Sequence, residues 1–154
     1  MLQILGEAGR RKGVRVVADV AADVPSAHAD GDRLRQVLIN LVDNAIKFTP
    51  AGGRVTVRVA PAARPGTVEI AVQDSGIGIP AQDLPRLTER FFRVDKARSR
   101  ALGGTGLGLA IVKHLIQAHG GTLDITSTIG HGTTVLVELP AAPVPAVRAF
   151  GNKP

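Results

Sequence analysis

The segment Asp32 to Phe48 (DRLRQVLINLVDNAIKF) limits the possible folds more than any other part of the chain. It has no Gly or Pro, follows the N-cap candidates Asp30 and Asp32, and meets Pro50 and Gly52-Gly53 at its end, so the spacing predicts one long helix. Projected at about 100° per residue, Gln36, Asn40, Asp43, Asn44 and Lys47 fall within about 60° of one line. The rest of the wheel from Leu34 is mostly apolar. A helix this apolar has to be embedded, and its narrow polar stripe then needs partners or costs free energy. Two readings fit the stripe: a partly solvated edge, or a ligand face. Asn is a poor interior helix residue, and amide oxygens four residues apart, with Lys47 further on, suit a hard cation and a phosphate.

Around this helix the pattern turns to strands. Val14 to Val20 (VRVVADV) is β-branched, and a Pro-containing connection follows it from Ala21 to Asp30. Arg54 to Ala60 and Thr67 to Val72 alternate with period two across the turn-forming PAARPG, which predicts a β-hairpin. Ala81 to Phe92 is weakly helical, Arg93 to Gly104 is charged and reads as a mobile lid, and Gly106 to His119 is helical up to Gly120-Gly121. Strands at Thr122 to Ser127 and Thr133 to Leu139 complete the pattern. This order lacks the strict alternation of a doubly wound sheet. It predicts an α/β (α+β) two-layer sandwich: one mixed, mainly antiparallel sheet of about five strands, with about three helices on one face. The expected organisation is a remnant helix or linker over 1–13, one domain over 14–140 and a disordered tail over 141–154.

Composition removes several function classes. A chain of 154 residues is one domain's worth. With no Cys, disulfide frameworks, thiolate zinc sites and Cys nucleophiles are excluded. His28, His114, His119 and His131 have no metal-site spacing, and Ser26, Ser75, Ser99 and Ser127 have no readable base partner, so catalytic zinc and serine hydrolysis lack support. No apolar run is long enough for a membrane span, which argues against membrane insertion. The net charge of +6 suggests a polyanion partner, but Arg86 to Arg100 alone holds six basic residues against two acidic ones. Without Trp or Tyr, and with four Phe, the chain lacks the stacking platforms of single-strand binders, so nucleic acid is not the expected partner.

Two glycine-rich stretches remain. Asp74-Ser75-Gly76-Ile77-Gly78 puts a carboxylate at the end of a strand, followed by glycines that let the main chain approach a planar ligand. The carboxylate can accept from an exocyclic amine such as that of adenine, although an Asx-turn explains Asp-Ser-Gly as well. Gly103 to Gly108 (GGTGLG) opens the next helix and forms either a phosphate cradle at a helix N-terminus or a hinge. It is neither a Walker loop nor a dinucleotide fingerprint.

In this order, the pieces resemble the catalytic and ATP-binding domain of bacterial sensor histidine kinases, in the superfamily shared with gyrase, mismatch-repair and chaperone ATPases. Asn40 to Thr49 (NLVDNAIKFT) is similar to the N box, Asp74 to Gly78 to the first G box and Arg90 to Val94 (RFFRV) to the F box. Gly104 to Gly108 (GTGLG) is similar to the second G box, and Gly130 to Thr134 (GHGTT) to the last glycine-rich box. The resemblance implies a Bergerat-type fold and ATP and Mg²⁺ as cofactors, with Asn44 and Asn40 on the metal and Lys47 on phosphate. It further implies Asp74 on the adenine amine with Thr133 in support, and Gly76, Gly78 and Ile79 beside the nucleotide. Gly104, Thr105, Gly106, Leu107 and Gly108 would bind phosphates, and Arg90 and Arg93 would belong to the lid. Asn40, Lys47 and Arg93 would be the catalytic set.

Hydrolytic members of that superfamily carry Glu where this chain has Asn40, and an amide cannot take a proton from water as a general base. The resemblance therefore implies transfer to a histidine rather than hydrolysis. No His here has the setting of an acceptor, so the expected partners are a histidine-bearing dimerisation domain and, downstream, a response regulator receiver domain. The chain is read as a monomeric, cytoplasmic catalytic piece of a two-component kinase, of a kind compatible with a membrane anchor elsewhere in the kinase. Two alternatives share the fold: a non-catalytic nucleotide-binding regulatory module, and an anti-sigma-type Ser/Thr kinase.

Overall fold

A computed structural model of the chain describes residues 2–94 and 108–143. The long helix forms where the pattern requires it, as α2 (Gly31–Lys47). Asp30 is its N-cap: Oδ1 accepts from the main-chain N–H of Asp32 at 2.9 Å and of Arg33 at 3.1 Å, pairing two of the donors a helix start leaves open. Val37, Leu41, Val42, Ala45 and Ile46 are the buried face. Before α2 come α1 (Leu2–Lys12) and β1 (Arg15–Val20). After it come β2 (Arg54–Pro61), β3 (Thr67–Asp74), α3 (Gly108–Ala118), β4 (Thr122–Thr128) and β5 (Gly132–Pro140).

The five strands form one sheet in the order β1-β2-β3-β5-β4. β1 runs parallel to β2, as the α2 crossover between them allows, and the other pairings are antiparallel. Alternation along the strands sends Val55, Val57, Val68, Ile70, Val72, Val137 and Leu139 to one face. There they meet α2, Val112 and Ile116 of α3, and Leu5 of α1 in a single core. This is the two-layer arrangement the pattern implied, with its helices on one face.

Two elements differ from the sequence reading. Ala81 to Phe92 is not a helix. It contains one 3₁₀ turn, Leu84–Arg86, among other turns. Pro85 disfavours helical geometry at the residue before it, and in the segment Leu87 is the only fully buried side chain, so no apolar stripe holds a longer helix down. At the other end, the chain stays paired beyond Leu139. β5 includes Pro140, Ala141 bridges Ala27, and Ala142 N donates to Ser26 O at 2.7 Å. Residues 1–13, read as a remnant helix or linker, contain α1, and its Leu5 is 6% exposed inside the common core. His119 belongs to the scaffold. Its Nε2 accepts from Asp30 N at 3.2 Å and its Nδ1 lies 2.7 Å from Leu115 O, which ties the end of α3 to the start of α2.

Candidate functional site

The register places the charged end of β3 at one end of the sheet. Asp74 stands opposite Val55 of β2 on one side and Thr133 of β5 on the other. Its Oδ1 accepts from Gly76 N at 2.9 Å, an Asx-type contact, and from Thr133 N at 3.2 Å. No described residue bonds its Oδ2. Burial pushes the Asp74 carboxyl above the ordinary value of 3.8, and the two main-chain N–H groups pull it part of the way back.

The loop after Asp74 is held from both sides by backbone. Ile77 N donates to Phe48 O at 3.2 Å, and a Cβ on Gly76 would lie 2.4 Å from that same oxygen, so only glycine fits. On the other side, Gly130 N donates to Ile77 O at 2.8 Å. Ser127, which the sequence reading left without a role, organises this contact. Its Oγ accepts from Ile79 N at 2.8 Å, donates to Gly132 O at 2.9 Å and lies 2.8 Å from Thr133 Oγ1. Gly132 has φ +112, and a Cβ there would stand 1.9 Å from Asp74 O. The last glycine-rich segment is thus the clasp that closes on the Asp74 loop.

The polar stripe of α2 borders the same end of the fold. Asn40, Asp43, Asn44 and Lys47 are all half-buried, whereas Gln36 is exposed. Among the described residues the amides of Asn40 and Asn44 have no hydrogen-bond partner, and a Cβ built on Gly108 would lie 3.8 Å from Asn44 Nδ2. That approach brings the start of α3 beside the stripe. Lys47 is engaged: its Nζ pairs with Asp43 Oδ2 at 2.9 Å, one helical turn back. Arg90 is exposed and Arg93 half-buried, and neither has an ion-pair partner among the described residues. Arg86 covers the Phe92 ring at 4.4 Å and pairs with Glu89 at 3.3 Å. Gly104, Thr105, Gly106 and Leu107, and the lid from residue 95, lie outside the described residues.

The site offers an acceptor oxygen on Asp74, close-packed glycine main chain and two amides without a protein partner among the described residues. Residues 29–143 match the family described as "Histidine kinase-, DNA gyrase B-, and HSP90-like ATPase". The chain belongs to this family. Within it, the relatives are sensor histidine kinases, and the chain is a catalytic domain of that branch. Sensor histidine kinase WalK of Bacillus subtilis is 50% identical over 111 residues, which is 72% of this chain and 18% of that protein. The structure of the mycobacterial sensor histidine kinase MprB superposes with a TM-score of 0.77 at 36% identity, covering 92% of this chain and 93% of that one. Full-length ShkA in complex with AMPPNP superposes with a TM-score of 0.79 at 34% identity, covering 92% of this chain and 28% of that one. The chain thus spans well under a third of WalK and of full-length ShkA. No helix among the described residues is long and apolar enough to cross a membrane.

Proposed function

We propose that this histidine kinase domain binds Mg²⁺-ATP between the α2 stripe and the Asp74 loop, and donates the γ-phosphoryl group to a histidine on a separate dimerisation domain. The observation that carries the reading is that the half-buried amides of Asn40 and Asn44, without a partner among the described residues, lie on the helix whose end is bonded through Phe48 O to Ile77 N, in the loop that follows the Asp74 carboxylate with its one uncommitted oxygen. The unpartnered amide atoms stay open to solvent, so a ligand can reach them without first breaking a protein contact, and a carboxylate at the end of a glycine-floored loop suits the exocyclic amine of adenine.

In this reading Asp74 accepts from the adenine amine through Oδ2 while Gly76 and Thr133 hold Oδ1. Ser127 keeps Thr133 and Ile79 in place, and Gly76 and Gly78 let the base lie on main chain. The amide oxygens of Asn44 and Asn40 fit a hard oxygen-seeking cation. Among the described residues no group of three His, Asp or Glu side chains can hold a metal alone, so phosphate oxygens and water would complete the shell. When bound, Mg²⁺ neutralises charge on the phosphates. Lys47 reaches phosphate by exchanging or sharing its Asp43 partner, and the glycine-rich sequence from Gly104 to Gly108 would supply N–H groups to the phosphates. Arg90 and Arg93, without an ion-pair partner among the described residues, would meet polyphosphate.

The acceptor imidazole nitrogen attacks the γ-phosphorus, the bond to the β–γ bridging oxygen breaks, and ADP departs with its electron pair. The phosphorylated imidazole then loses the proton on its other ring nitrogen to solvent. Asn40 cannot take a proton from water, so hydrolysis is not assisted. In the parent protein the phosphoryl group would pass from that histidine to a receiver domain, in the cytoplasm. Calorimetry with Mg²⁺-ATP, followed by incubation with the acceptor domain and radiolabelled ATP, tests the proposal. An acid-labile label on histidine is expected. Label on Ser or Thr would indicate the anti-sigma-type alternative, and binding without transfer would indicate a regulatory module.

A further inference from the structure

The end of α1 is fastened to the end of α2. Lys12 Nζ donates to Ile46 O at 2.8 Å and to Lys47 O. Next to it, Gly52 N donates to Gly13 O at 2.8 Å, and Arg15 N donates to Gly53 O at 3.0 Å. The last carbonyls of a helix lack intrahelical donors and form the negative end of its dipole, so an ammonium there satisfies both needs. On its opposite side the same turn of α2 is held by the Phe48 O to Ile77 N bond, and hence by the Asp74 loop. A single turn thus stands between α1 and the candidate nucleotide site, and it carries Asn44 and Lys47. α1 has little room to pivot, because a Cβ on Gly9 would lie 2.6 Å from Val14 O and Leu5 is locked in the core.

We infer that Lys12 is a positioning residue for the nucleotide site: it holds the last turn of α2 in register with the Asp74 loop, and so couples the seating of α1 to nucleotide affinity. The inference rests on the proposed nucleotide reading. Without the ammonium, Lys47 O loses this donor and Ile46 O keeps Thr49 N at 3.3 Å, so the turn loosens and carries Asn44 and Lys47 out of line with Asp74. Coupling of this kind is reciprocal, so a nucleotide that fixes Asn44 also steadies α1.

The test measures Mg²⁺-AMPPNP affinity by calorimetry for the unaltered chain, Lys12→Met and Lys12→Arg, each well below its melting temperature. Hydrogen exchange of residues 2–12 and of β4 in the unaltered chain, with and without AMPPNP, is measured alongside. Lys12→Met is expected to weaken binding roughly 3- to 10-fold, while Lys12→Arg stays within about twofold because it also donates to carbonyls. Exchange in the last turn of α1 is expected to slow on nucleotide binding by more than in β4, whose slowing reads only the general gain in stability that any ligand confers. A folded Lys12→Met that binds like the unaltered chain overturns the inference, as does α1 exchange that slows no more than that of β4. If Lys12→Met fails to fold, the exchange result on the unaltered chain decides. Failure of the unaltered chain to bind overturns the nucleotide reading and this inference together.

Discussion

Replacing Asp74 by Asn separates binding from stability. The amide keeps an Oδ1, so the Gly76 and Thr133 N–H groups retain their acceptor at 2.9 and 3.2 Å. What changes is the other position, where a carboxylate oxygen becomes an NH₂ donor facing the donor amine of adenine. Losing one charge-assisted bond to a partly buried partner costs about 1–3 kcal/mol, or roughly 5- to 150-fold in the dissociation constant. Stability moves the other way. Burial raises the folded-state pKa of Asp74 above 3.8, so its titration stabilises the fold fully below the unfolded value, and that contribution is lost as pH rises through the folded value. At pH 7 the carboxylate is therefore a cost that Asn does not carry. Urea denaturation at pH 7 is expected to find Asp74→Asn at least as stable as the parent, with the difference shrinking as pH falls toward the ordinary carboxyl range. Calorimetry with Mg²⁺-ATP reads the affinity. Unchanged affinity would refute the adenine assignment, and a variant less stable at pH 7 would refute the burial argument.

Asn44→Ala is expected to abolish the Mg²⁺-dependent part of nucleotide affinity while leaving the melting temperature within a few degrees, since it removes a ligand oxygen from the half-buried stripe without opening an apolar cavity; titration with and without Mg²⁺ checks this. Gly132→Ala is expected to destabilise by about 2–4 kcal/mol in urea, because it adds a methyl 1.9 Å from Asp74 O at φ +112. Leu41→Ala empties a fully buried position on the core face of α2 and is expected to cost about 2–5 kcal/mol by the same assay, with nucleotide affinity retained wherever the variant is folded.

What could be read from the sequence was what local chemistry determines. α2 was visible from its caps, its missing breakers and its stripe, and the β2–β3 hairpin from two alternating runs around PAARPG. Ala81 to Phe92 misled because helix-tolerant composition carries little weight without an apolar stripe to bury. The parallel pairing of β1 with β2 had no local signature, since nothing in Arg15 to Val20 records its neighbour. The candidate site divides the same way. Asn40, Asn44 and Asp74 were legible because their residue types are unusual for where they sit. Ser127 and Lys12 were not, because each acts on a residue far away in the chain, Ser127 on Ile79 and Lys12 on Ile46, and Gly132 was visible only as part of the Gly130 to Thr134 box, not as the close neighbour of Asp74. Glycine next to histidine in a turn reads as an ordinary hairpin until the strand opposite is known.

The contact between Thr133 and Asp74 spans 59 residues, and it makes the site a late product of synthesis. At about 5–20 residues per second a ribosome needs roughly 3–12 s to travel from one residue to the other. Through that interval β3, a central strand with Val68, Ile70 and Val72 on its apolar face, has β2 on one side and an open edge on the other. A ligand stabilises only the state that binds it, and the Asp74 pocket is incomplete until β5 zips into place. Cellular ATP therefore cannot shield the nascent chain during its most adhesive seconds. It can only retain molecules that have already closed the sheet.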